Sequence, residues 1–169
     1  MSEWFKGKGA GSQVRGASLN FIGEKGYLIG GVKADGEEKS PWLQMDQIVL
    51  PSAQWKPLVV NTGGLLNRAY HATAAMQGTK KLYVFGGEFA ERPDSAYPAQ
   101  ILEIETTSLF GLKATVYAPA GDSCSNIALK GLTAAVVGNS TNEHVVIFGG
   151  KASDGACVDD LSLFYTANC

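Results

Sequence analysis

The stretch "KKLYVFGGEF", residues 80–89, decides how this chain is read. A β-branched and aromatic run ends on two glycines and passes into a polar, acidic loop. A glycine pair in that setting is either a phosphate-binding turn or punctuation in a repeated structure. A phosphate loop needs Gly-x-x-x-x-Gly-Lys-Ser/Thr, and a dinucleotide fold needs Gly-x-Gly-x-x-Gly opening a helix. Neither pattern occurs, and "GKGAG" at residues 7–11 has no strand before it and no helix after it. The pair does recur: "GYLIGG" covers 26–31, "LYVFGG" 82–87 and "VVIFGG" 145–150. The first glycines, Gly30, Gly86 and Gly149, are 56 and 63 residues apart.

The flanks repeat as well. Upstream lie "RGAS" from Arg15, "RAYH" from Arg68 and "KGLT" from Lys130, each a basic residue followed three positions later by a hydroxyl or imidazole. This alignment matches Ser18 and Thr133 with His71. A run of small or apolar residues and a short polar turn lead into each Gly-Gly strand, so each unit opens as an antiparallel hairpin. Further strands are expected at 45–50, 99–105 and 159–165, and fourth strands at 55–60 and 112–117. By propensity alone "LLNRAYHATAAMQ" could be helical, but its alignment with the other units favours a strand beginning near Arg68.

Units of about four strands, repeating every 50 to 60 residues, have the length of a kelch propeller repeat. From about Arg15 to Tyr165 the chain resembles the kelch-repeat β-propeller family. The likeness is fullest in the second unit, at Arg68, His71, Tyr83, Phe85, Gly86 and Gly87. The resemblance implies an all-β fold of kelch-type β-propeller blades. There would be about three four-stranded units, a partial propeller or half of one completed by another chain. Residues 1–14 would form an N-terminal strand completing another blade. Blade 1 would span 15–62, blade 2 63–120, and blade 3, lacking its outer strand, 121–169.

The pattern has a physical reason beyond the family name. Inner strands crowd around a propeller channel, which suits the small residues at 72–75 and 134–135. The second strand is buried on both faces and so is continuously apolar. Gly30–Gly31, Gly86–Gly87 and Gly149–Gly150 would end it where the backbone bends or meets another backbone closely. Trp55 and Phe110 are expected to fill gaps between blades.

Composition fits this picture. The 169 residues hold 21 glycines, against about 12 expected at average usage. Hydrophobic residues make up 45% and charged residues 18%, with a net charge of −2, so neither disorder nor nucleic-acid binding is indicated. No apolar run reaches the length of a membrane span, and the N-terminus lacks the apolar stretch of a secretory signal. Cys124, Cys157 and Cys169 form neither a disulfide framework nor a metal motif. Reduced thiols in an intracellular, cytoplasmic protein are expected.

Three blades do not close a ring, because propellers typically use four to eight. Open flanks would expose sheet faces. They could be covered by a second copy, with Trp4 and Phe5 of one chain completing the third unit of the other. A different subunit could cover them instead, or the chain could be part of a longer protein or an open arc.

Chemistry is sparse. The histidines are His71 and His144, and no ligand spacing marks a metal site, so neither metal nor cofactor is expected. Carboxylates gather in the loops after the glycine pairs: Asp35, Glu37 and Glu38; Glu88, Glu91 and Asp94; Asp154. Placed on one rim, these would meet a basic partner. Kelch proteins act mostly as interaction modules, so the resemblance implies a non-catalytic scaffold subunit that binds protein through its rim loops. The alternative is a small-molecule isomerase or lyase using Arg15, Arg68 and His71 at the channel mouth.

Overall fold

The computed structural model describes residues 14–33, 42–50, 52–61, 65–92, 96–107, 111–117 and 127–165. Trp4, Phe5, Phe110, Cys124 and Cys169 lie outside them. Among the described residues the chain is all-β and has no α-helix.

The first sheet is built from β2 (Ser18–Ile22), β3 (Lys25–Ile29), β5 (Met45–Val49) and β6 (Gln54–Leu58), an antiparallel meander in that order. The middle sheet repeats it with β9 (Ala72–Met76), β10 (Lys81–Phe85), β12 (Ile101–Glu105) and β13 (Leu112–Tyr117). The short β7 (Val60–Asn61) extends the middle sheet by running parallel to β13. The third sheet has β14 (Thr133–Asn139), β15 (Asn142–Phe148) and β16 (Leu161–Phe164). Two small ladders complete the inventory. In one, β1 (Val14–Arg15) pairs with β4 (Val32–Lys33); in the other, β8 (Arg68–Ala69) pairs with β11 (Glu88–Phe89).

Each sheet opens with the expected hairpin. Ile22 pairs with Lys25 across a two-residue turn whose first residue, Gly23, has φ of +58°. Such a turn needs a positive φ there, which glycine supplies without strain. In the third hairpin the Asn139 carboxamide oxygen accepts from the Thr141 backbone N–H and hydroxyl, fixing the Ser140–Thr141 turn.

The hairpin registers correct one alignment. Ser18 pairs with Ile29, Ala72 with Phe85 and Thr133 with Phe148, each partner being the residue before a glycine pair. Ala72, not His71, therefore matches Ser18 and Thr133, and Ala69 matches Arg15 and Lys130. The second unit is displaced by one residue from the reading based on its basic residue. The left-handed positions agree, since Gly16, Tyr70 and Gly131 have φ of +69°, +55° and +69°.

Packing explains the burial. Ile22, Tyr27, Ile29 and Met45 of the first sheet meet Leu82, Val84, Leu102 and Ile104 of the middle one. The opposite face of the middle sheet presents Ala72, Ala74, Met76, Tyr83 and Phe85 to Val145, Ile147 and Phe164. Phe164 sits 5.2 Å from the Tyr83 ring and 5.3 Å from that of Phe85 in tilted and edge-on geometry, an arrangement aromatic quadrupoles favour. The continuously apolar reading holds for β10, which is buried on both faces. It does not hold for β15, which alternates because nothing described covers its far side. Trp55 also departs from expectation. It pairs with Ile48 on the face of the first sheet turned away from the middle one, and so does not fill the gap between them.

Candidate functional site

The inner strands β2, β9 and β14 lie side by side, and the glycine pairs tie each sheet to the next. The Gly31 N–H donates to the Arg68 carbonyl at 2.7 Å, and the Gly87 N–H to the Leu129 carbonyl at 2.7 Å. Matching bonds run from the Tyr70 N–H to the Gly16 carbonyl (2.7 Å) and from the Gly131 N–H to the Tyr70 carbonyl (2.8 Å). A β-carbon at Gly30 would lie 2.3 Å from the Arg68 oxygen, and one at Gly86 2.3 Å from the Leu129 oxygen. The six motif glycines all have positive φ, from +60° to +114°. They serve close backbone approach between neighbouring sheets, as their sequence setting suggested.

At the other end of the inner strands the turns are linked in series. The Gln77 amide nitrogen donates to the Phe21 carbonyl at 2.7 Å, and its oxygen accepts from the Gly23 N–H at 3.2 Å. Glu143 accepts from the backbone N–H groups of Gln77 and Gly78, both at 2.9 Å. Across the strands themselves, the Asn20 carboxamide donates to the Thr73 hydroxyl.

The residues proposed as a catalytic centre are held inside this framework. Arg68 is 1% exposed, and its Nη1 donates to the carbonyls of Gln100 (2.8 Å) and Gly86 (3.3 Å). Burial lowers its pKa to about 10, which leaves it charged at neutral pH. The buried His71 has its Nε2 2.9 Å from the Ser18 hydroxyl. Burial, then the Arg68 charge, lowers its pKa to about 4, so the ring is neutral at pH 7. Asn67 Oδ1, Arg68 Nε and His71 Nδ1 are buried and have no hydrogen-bond partner among the described residues. Arg15, by contrast, is exposed on β1. The Arg68 side chain thus ties Gly86 and Gln100 together within its own unit, and His71 reaches across to Ser18 of the first sheet.

Of the acidic loop residues, Glu88, Glu91 and Asp154 are described, and their settings differ. Glu88 is buried, and its carboxylate meets the Lys130 ammonium at 2.7 Å. The Glu88 hydrogen bond, then that of Tyr97, holds the Lys130 pKa above its ordinary value, and the ammonium lies 5.3 Å from the centre of the Tyr97 ring. Glu91 is exposed, and Asp154 is exposed and caps its own turn by accepting from the Ala156 N–H at 2.9 Å. Asp35, Glu37, Glu38 and Asp94 lie outside the described residues. Among the described residues no group of three or more His, Cys, Asp or Glu side chains could hold a metal ion, and no helix is long and apolar enough to cross a membrane. The Cys157 thiol is free and exposed.

Exposed sheet faces were expected at the two flanks, but not which residues would stand on them. On the third sheet Leu161 is 64% exposed, Leu163 49% and Phe148 47%, all on the face opposite Phe164. On the first sheet Leu19 and Phe21 are exposed on the face opposite Tyr27. The alternation in "LSLF" and "SLNFI" carries this signal, but alternation alone does not say which face is covered. The chain matches no protein-family model and shows no significant similarity to a curated protein.

Proposed function

We propose that the chain is a non-catalytic interaction subunit whose three sheets are kelch-type propeller blades, assembled with further blades at its open flanks. The observation that carries this reading is the apolar far side of the third sheet, from Leu161, Leu163 and Phe148 to Val137. Its counterpart on the middle sheet, with Tyr83 and Phe85, is fully buried. Clusters of exposed large apolar side chains on a sheet face mark association surfaces, and here they coincide with the face each sheet otherwise gives to its neighbour. His71 supports the same reading, since its Nε2 meets Ser18 of the neighbouring sheet, and so does the Arg68 carbonyl, which accepts from the Gly31 N–H.

The test compares the native assembly in cell extract, tagged on this chain, with that of a Leu161→Asp, Leu163→Asp variant. The reading expects the wild type in a particle heavier than one chain, and the variant as a folded free chain. A wild type that migrates as a single chain in extract would end the proposal.

A further inference from the structure

The repeat specifies its own partner. We infer that the far face of the third sheet docks on the far face of the first sheet of a second copy, head to tail, and that two copies close a ring of six sheets. This rests on the propeller reading above and adds the identity of the occupant.

Each junction within the chain uses the same groups. A glycine pair donates to the backbone just before the next inner strand, at Arg68 and again at Leu129. Among the described residues the third pair has no such neighbour: a β-carbon at Gly149 would meet no described atom nearer than the Val158 oxygen at 3.5 Å, although its φ of +68° matches those of Gly30 and Gly86. The matching acceptor is already present in the chain. Val14 holds the position of Arg68 and Leu129, one residue before the pairing of Arg15 with Val32, which repeats as Ala69 with Glu88 and Lys130 with Lys151. A second copy therefore offers the Val14 carbonyl to Gly150, and its Gly16 N–H to the carbonyl of Gly131.

Side chains agree with the backbone. Asn20 meets Thr73 across the first junction, and the same positions at the closing junction are Ala135 and Leu19 of the second copy. Both are exposed on the far faces. Leu161, Leu163 and Phe148 stand on one meeting surface and Leu19 and Phe21 on the other; the carboxylate on the first sheet's far face, Asp46, is buried. Six sheets fall within the range in which propellers close. Such a contact closes into a ring only if the rotation per sheet allows it and otherwise grows into a filament, so mass is the decisive measurement.

Sedimentation equilibrium of the purified 169-residue chain should give twice the 17.8 kDa chain mass. Leu19→Asp and Leu163→Asp should each halve that mass with unchanged far-ultraviolet circular dichroism. Mixed in equal amounts, the two variants should regain the two-chain mass, because one intact junction forms between them. A Leu19→Cys, Ala135→Cys variant should form an intermolecular disulfide that neither single substitution gives. A monomeric wild type, an open polymer, or variants that fail to complement would each overturn the inference. If the purified chain is a monomer but runs in a heavier particle in extract, the interaction reading survives and only the second copy is lost. Should either aspartate variant fail to fold, the cysteine pair decides.

Discussion

The Arg68 carbonyl oxygen lies where a β-carbon on Gly30 would come within 2.3 Å of it, whereas one on Gly149, which has nearly the same φ, would meet no described atom nearer than 3.5 Å. Two glycines that look alike in sequence are thus held by different constraints. Alanine at either position takes on the left-handed penalty, roughly 1–2 kcal/mol. Only at Gly30 must it also push apart two sheets joined by the Gly31 to Arg68 hydrogen bond. Gly30→Ala should therefore lower stability in urea by at least about 1 kcal/mol more than Gly149→Ala, measured on a variant background that is monomeric. Equal losses would mean that the glycine pair answers to backbone angle alone.

Among the described residues, Glu143 links the turn of the middle hairpin to the third sheet, its two oxygens taking two backbone N–H groups. A carboxylate accepting two such bonds is worth more than a neutral acceptor. Glu143→Gln, which keeps one good acceptor, should cost about 1 kcal/mol, and Glu143→Ala about 2 kcal/mol. The loss should appear first as faster amide exchange at Gln77 and Gly78, read by nuclear magnetic resonance. Unchanged exchange at those two amides would show that the turn is held by its own strands.

Much of this architecture was legible because glycine pairs leave a mark that side-chain statistics do not blur. The strands expected at 45–50, 99–105 and 112–117 stand at Met45–Val49, Ile101–Glu105 and Leu112–Tyr117, and residues 65–78 hold β8 and β9 and no helix. The one-residue displacement of the second unit was not legible. Arg68 mimics Arg15 by type, but it lies one place earlier because its long side chain reaches back to Gln100 and Gly86 from a buried position. Glu88 misled in a similar way. A carboxylate just after a glycine pair looks like loop decoration until Lys130, 42 residues on, is brought to it. Long-range pairing of this kind has no local signature.

Adjacent residues on β16 offer a sharp contrast. Phe164 is buried against Tyr83 and Phe85, and Leu163 points to the opposite, exposed face. Phe164→Ala opens a cavity among aromatic rings and should cost about 3–4 kcal/mol. Leu163→Ala should change the stability of the isolated chain by no more than about 0.5 kcal/mol, as surface substitutions usually do. Because the two positions are neighbours in sequence, urea midpoints that fail to separate them would contradict the assignment of faces in the third sheet.

His71 should make folding sensitive to acid in a defined window. In the folded chain its pKa is lowered to about 4 by burial and by the Arg68 charge, while the unfolded chain has the ordinary 6.5. The unfolded state therefore binds a proton first as pH falls, and the folded state is penalised. This group's contribution is fully present above about pH 6.5 and is lost progressively as pH falls towards 4, with a slope approaching about 1.4 kcal/mol per pH unit. The bond to Ser18 fits a neutral ring, since Nε2 can take the hydroxyl proton. His71→Gln should flatten the stability profile between pH 6 and 4.5 at some cost at pH 7. Urea titrations at half-unit steps measure this directly. A wild-type slope that persists in His71→Gln would move the acid sensitivity to the carboxylates and leave His71 as a packing residue only.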